Sequence, residues 1–315
     1  MVTSGSWGES TAARSDTGAC RLWAVGGGKG GIGKSLIATN AATVVARSGL
    51  RVILVDFDLG GANVHTCLGV RTQQRVNLSD FLQGRVAHLK EALVETPVPG
   101  LKVILGAMNH TVSAQATRSQ RERLLVELRG LGADVVILDL AAGMDRTTVD
   151  LFVAADEHLL VTTPEPTAIE NAYAFVRAAF YRRLAPLIVD SPIEKVVRAS
   201  IADREHRGVR SAADLMAEIR RVDRAEADRI QAEMSGFRPR LILNQVRTPE
   251  DVRLGFAIAS MSRRHLGVAI DYLGYINYDD HVWRAVKERR TLVLAYPQSD
   301  GALYIRQIVR KILSP

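Results

Sequence analysis

The decapeptide Gly26-Gly27-Gly28-Lys29-Gly30-Gly31-Ile32-Gly33-Lys34-Ser35 constrains this chain more than any other stretch. A short apolar run, Arg21–Val25, precedes it, and a segment of helical character, Ser35–Ser48, follows and stops at Gly49. The spacing Gly28-x-x-x-x-Gly33-Lys34-Ser35 is that of a P-loop, and a strand before it with a helix after it is the context the motif requires. Gly28, Gly30, Gly31 and Gly33 let successive backbone N–H groups turn inward around phosphate oxygens, and the helix N-terminus adds a favourable dipole. Lys34 is expected to reach the terminal phosphates, and the Ser35 hydroxyl to ligate Mg²⁺. The competing reading is a glycine turn that binds nothing.

The rest of the chain repeats a strand and then a helix. Arg51–Val55 (RVILV) is continuous and β-branched, as a strand buried on both faces requires. Leu101–Leu105, Asp134–Leu138, His158–Thr162 and Arg240–Leu243 carry the same signature, and Asp271–Tyr275 a weaker form of it. Thr117–Arg129, Ile169–Leu184 and His281–Arg289 read as helices between them. This alternation predicts a doubly wound, mainly parallel α/β sheet, and the glycine motif after its first strand makes that a P-loop NTPase type. From about 185 to 238 the rhythm breaks into a charged, helix-prone segment, read as a helical insertion on the sheet edge. Residues 1–20 are small and polar and read as a disordered lead, leaving 21–315 as one P-loop domain.

A metal-bound triphosphate needs carboxylates at the strand ends beside the loop. Asp56 and Asp58 follow RVILV and Asp139 ends DVVIL, so all three fall at the carboxyl edge, where doubly wound sheets bind ligands. Asp139 is placed to hold a water in the Mg²⁺ shell. Asp58 is the better candidate to orient or deprotonate an attacking water, with Asp56 in support. The alternative for each acid is that it caps a turn or a helix.

These residues resemble the deviant Walker-A ATPases of the MinD/ParA group. The resemblance rests on GKGGIGKS with VDFDLGGANVHTCLG, ILDLAAG, LLVTTPEPTAIENAYAFV and LGYINYDDHVWRAVKERRTLVLAYP. It covers most of 21–184 and 239–313, and within the group it is closest to the MinD-like branch that includes the flagellar-number regulator FlhG. It implies that ATP and Mg²⁺ are the cofactors. It also implies that Lys29 is a signature lysine reaching across an ATP-sandwiched homodimer, Asn63 a switch asparagine near the same phosphates, and Asn244 the hydrogen-bond partner of adenine. Asp58 matches the switch aspartate needed for hydrolysis. The implied function is a spatial or regulatory switch that positions or numbers a cellular structure. A lysine supplied by a second copy works as an arginine finger does, and puts hydrolysis under the control of assembly.

Some residues depart from the pattern. DLAAG lacks the threonine, serine or proline that relatives often carry there, which keeps open a nucleotide-dependent scaffold with little turnover. The lead lacks the glutamine-bearing activation motif of flagellar regulators. The cluster cysteines of the iron–sulfur relatives are missing, since Cys20 and Cys67 are the only two and show no metal spacing.

Partners are read from charge. Residues 1–180 hold 17 Lys+Arg against 17 Asp+Glu, and 181–315 hold 24 against 17, so the surplus of +7 lies in the second part. Non-specific DNA or a membrane surface is the matching partner class, beside an unidentified protein activator. Arg220, Arg221, Arg224, Arg263 and Arg264 are candidates for DNA, with a solvated, acid-laced helix face as the alternative. The last segment, Leu303–Leu313, reads either as a basic amphipathic helix for a headgroup layer or as the last core helix. No further anchor is expected after Pro315. No run spans a bilayer and no signal-type segment opens the chain, so a cytoplasmic protein is expected, peripheral at most to the inner membrane or nucleoid.

Overall fold

Every residue of Val52–Asp56 and Val135–Asp139 is buried, the pattern of strands covered on both faces. The computed structural model describes residues 19–58, 63–70, 76–106, 116–189, 191, 193–195, 197, 199 and 212–314. All but two residues of the expected lead, and the middle of the expected insertion, lie outside that range.

Eight strands form one sheet. They are β1 (Arg21–Gly26), β2 (Val52–Asp56), β3 (Leu93–Glu95), β4 (Leu101–Ile104), β5 (Val135–Asp139), β6 (Glu157–Thr162), β7 (Arg240–Val246) and β8 (Asp271–Asn277). Their order is β3-β4-β2-β5-β1-β6-β7-β8. Every pairing is parallel except β3 with β4. The expected strands are all present, shifted by up to three residues at their ends. Leu93–Glu95 was not expected, because three partly exposed residues carry no periodicity to read.

Twelve α-helices are described: α1 (Lys34–Arg47), α2 (Val64–Leu68), α3 (Leu78–Leu82), α4 (Arg118–Arg129), α5 (Arg146–Ala154), α6 (Pro166–Ile188), α7 (Ala212–Val222), α8 (Arg224–Ser235), α9 (Pro249–Met261), α10 (His281–Lys287), α11 (Leu292–Ala295) and α12 (Asp300–Leu313). Local chemistry starts several of them. Asp145 caps α5 by accepting from the Thr147 and Thr148 amides, and Thr248 with Asp251 closes a capping box on α9, whose first residue is Pro249.

The helices divide the core into two clusters, one on each face of the sheet. One holds Phe152, Phe175, Leu124 and Leu128 from α4, α5 and α6, with Leu215, Ile219, Ala227 and Ile230 from α7 and α8. The described helices of the 185–238 segment therefore pack on the same core as the sheet. The other cluster holds Ile37 and Val45 of α1 with Ile305, Ile308, Val309 and Ile312 of α12. Of the two readings of the last segment, the core helix is the one found, since those four apolar residues are at most 4% exposed. Its end is pinned as well: Arg21 donates to the Ile312 carbonyl at 3.3 Å and Arg240 to that of Lys311 at 3.1 Å. Among the described residues no helix is long and apolar enough to cross a membrane.

Candidate nucleotide site at the carboxyl edge of the sheet

The glycine loop leaves β1 and enters α1 through Gly33, whose φ of 93° lies in the left-handed region. A Cβ on Gly33 would sit 2.1 Å from Asn244 Nδ2, and one on Gly28 would sit 2.2 Å from the Asn171 carbonyl oxygen. Both positions therefore exclude a side chain, the first by conformation as well as by space.

Lys34 is 8% exposed, and its ammonium donates to the Lys29 carbonyl at 3.3 Å. Burial lowers its pKa, against the nearby Asp139 and Asp58 carboxylates, which favour the charge. Asp56 and Asp139 are directly opposite each other on β2 and β5, and both are fully buried. Burial pushes Asp139 up to about 7, with the Ser35 hydroxyl and Lys34 pulling it down. Asp56 is also raised, first by burial and then by Asp139, while the amides of Asp58 and Val64 oppose. The Asp58 amide donates to Asp56 at 3.0 Å, so Asp56 does shape the turn that carries Asp58.

Neither carboxylate is satisfied. Among the described residues Asp56 Oδ2 and both oxygens of Asp139 are buried without a hydrogen-bond partner of good geometry, and the Ser35 hydroxyl is the polar group beside Asp139. Buried anionic oxygens left this way are costly, and a cation beside them removes the cost. The described residues contain no group of three His, Cys, Asp or Glu side chains able to hold a metal alone. Magnesium suits such a place, because it is usually held by one or two protein groups, waters and phosphate oxygens. Ser35 and Asp139 thus fit the ion, and the loop amides with Lys34 fit the phosphates.

Lys29 is arranged differently. Its ammonium does not meet these acids but donates to Glu165 at 2.6 Å and to the Thr167 hydroxyl at 3.0 Å, at the start of α6. Nothing in the reading of single residues pointed to that pair, since Glu165 and Thr167 lie 136 and 138 positions away. Asn244 is 3% exposed, and its Nδ2 donates to the Ile32 carbonyl at 2.8 Å. The next residue, Gln245, takes a φ of 60° and donates to the Gly31 carbonyl at 3.3 Å, a second tie between β7 and the loop that the sequence reading missed. Asn63 is exposed in the N-cap position of α2 with no side-chain capping bond, and the four residues between it and Asp58 lie outside the described range.

Of the arginines considered for DNA, three meet acids, two of them sharing one carboxylate. Arg220 and Arg224 pair with Asp228 at 3.2 and 4.0 Å, and Arg221 pairs with Glu218 at 3.0 Å. Arg263 and Arg264 are exposed and meet no acid among the described residues.

Residues 20–180 match a family described as an AAA domain. The antiactivator FleN of Pseudomonas aeruginosa is 29% identical over 292 residues, 92% of this chain and 85% of FleN. The flagellum site-determining protein YlxH of Helicobacter pylori is 34% identical over 156 residues, 49% of this chain and about half (52%) of YlxH. The solved structure of the septum site-determining protein MinD from Pyrococcus horikoshii, complexed with Mg-ADP, superposes with a TM-score of 0.64. At 20% identity over 94% of this chain and 96% of that one, it shows a shared fold.

Proposed function

The chain belongs to the MinD/ParA-type deviant Walker-A P-loop ATPases, and from that premise we propose that it is an ATP-dependent switch that positions or numbers a cellular structure. ATP and Mg²⁺ are the cofactors of the family. ATP binding drives two copies together around the shared nucleotides, and slow, partner-stimulated hydrolysis releases them.

The geometry supports a role for each residue. Lys34 and the loop amides would bind the phosphates, and Ser35 and Asp139 would hold Mg²⁺. Asn244 accepts from the base. Asp58 orients the attacking water and takes its proton, on a turn held by Asp56. When bound, Mg²⁺ neutralises charge on the phosphates as the terminal phosphoryl group is transferred to water.

One observation carries the dimer reading: the Lys29 ammonium is held on the rim by Glu165 and Thr167, away from the acids of its own site. A lysine stationed there could exchange Glu165 for the phosphates of a second copy, and phosphoryl transfer with such a trans-acting cation is faster by about 10³–10⁵ in GTPases. A second reading, a scaffold that binds ATP and scarcely hydrolyses it, draws on DLAAG and on an Asp139 that titrates near 7.

Sedimentation velocity and ATP turnover separate the two. Asp58→Ala is expected to form ATP-trapped dimers with hydrolysis down by at least about 100-fold. Lys29→Ala is expected to remain monomeric with ATP. If the wild type turns over no faster than either variant, with candidate partners added, the scaffold reading replaces the switch.

A further inference from the structure

Strand β7 ends in a way that a regular strand cannot. Successive side chains of a strand point to opposite faces of its sheet. Asn244 and Gln245 are consecutive, yet both reach the glycine loop: Asn244 Nδ2 donates to the Ile32 carbonyl at 2.8 Å, and Gln245 Nε2 to the Gly31 carbonyl at 3.3 Å. Two irregularities allow it. Leu243 pairs with Tyr275 and Val246 with Asn277, so Asn244 and Gln245 together stand opposite the single residue Ile276. Two residues against one is the count of a β-bulge, a device that re-aims side chains beside a site. Gln245 also takes a φ of 60°, left-handed backbone that only one other non-glycine residue, Arg289, adopts among the described residues. Such a conformation is unfavourable for a residue with a Cβ, and it persists only where the surroundings hold it.

We infer that Gln245 is a positioning residue for phosphate binding, held by the bulge so that its side chain sets the orientation of a peptide in the glycine loop. Its bond and that of Asn244 act on successive peptides, Gly31–Ile32 and Ile32–Gly33. A peptide is planar and trans, so its C=O and the following N–H point in opposite directions. With the Gly31 and Ile32 carbonyls drawn toward β7, the amides of Ile32 and Gly33 are turned away from it. Gly31 and Gly33, with φ of 76° and 93°, supply the left-handed backbone that lets successive amides converge on an anion. Asn244 alone would fix only the second of these peptides. Gln245 fixes the first, and a cradle whose amides are already oriented has less ordering left to do when phosphate arrives.

Positioning of this kind rests on the nucleotide-binding part of the proposed function, and neither hydrolysis nor dimer formation enters it. Displacement of a fluorescent ADP analogue from the full chain, with Mg²⁺ present, reads the affinity for ADP and for pyrophosphate, which carries phosphates without a base. Gln245→Ala is expected to weaken both by the same factor, about fivefold. Gln245→Gly adopts the left-handed φ freely, so it should lose the same affinity while its melting temperature stays within a few degrees of wild type. If glycine instead restores what alanine loses, the backbone and not the side chain is responsible, and the assignment is overturned. Unchanged affinity in the alanine variant overturns it too, as does a loss confined to ADP, which would place the side chain at the base. A wild-type chain that binds neither ligand removes the nucleotide reading itself, and the positioning role falls with it.

Discussion

The two edges of the sheet are built on opposite principles. At the amino edge, where the strands begin, charges are answered. Glu157 accepts from Arg21 at 2.7 Å and from Arg240 at 2.9 Å, and the same two arginines close the end of α12. Asp156 takes the Leu22 amide at 2.7 Å and Arg129 at 2.9 Å, and Arg51 pairs with Asp134 at 2.7 Å. At the carboxyl edge Asp56 and Asp139 are buried more deeply, yet three of their oxygens have no partner among the described residues. A fold that pairs its acids at one edge and leaves deeper ones unpaired at the other has a place for a ligand at the second. The amino edge holds the fold together; the carboxyl edge waits for phosphate and metal.

The contrast can be broken most forcefully at Lys34. Lys34→Met is expected to weaken ATP binding by about 100-fold or more, near 3 kcal/mol, while the melting temperature without nucleotide stays within a few degrees. Calorimetric titration beside thermal denaturation reads both, and a large loss of stability would place Lys34 among the structural pairs. At the other edge the converse is expected. Glu157→Ala strands two arginines that are partly exposed, so the cost is about 1–3 kcal/mol in urea unfolding, with ATP affinity unchanged.

Asp139 sharpens the comparison through pH. Burial keeps it protonated up to about 7, against 3.8 for an ordinary aspartate. Between those values the folded chain binds a proton that the unfolded chain has lost, so stability falls as pH rises from about 4 to 7 and then levels. Asp139→Asn should flatten that fall in nucleotide-free protein and raise stability at pH 8 by about 1–3 kcal/mol, although Mg-ATP binding weakens. An unchanged pH profile would mean that the carboxylate is satisfied after all. The smallest effect belongs to the rim. Lys29 and Glu165 are 36% and 59% exposed, and Glu165→Ala should change monomer stability by no more than about 1 kcal/mol. A larger change in denaturant unfolding would make the pair structural.

Much of the carboxyl edge was legible before any coordinates. Lys34, Ser35, Asp56, Asp58 and Asp139 each stand next to a recognisable strand or loop, and strand ends in a doubly wound sheet fall together. The partners of Lys29, and the tie from Gln245 to the loop, join segments far apart in the chain and leave no local periodicity. The role of the last helix was left between two readings for a related reason. An apolar stripe at helical spacing is the same whether it meets a core or a bilayer, and the contacts of Ile305, Ile308, Val309 and Ile312 with α1 decide the matter.

By itself the sequence determined the loop chemistry, the parallel α/β architecture and the family, because each depends on short spacings and on the alternation of strand with helix. Only the tertiary structure decided which charges are answered. The arginines of α7 and α8 and those near α10 look alike as residues, and pairing neutralises one group while the other stays open to solvent. Charge is a property of the residue, but whether it is available depends on what folding places within a few ångströms of it.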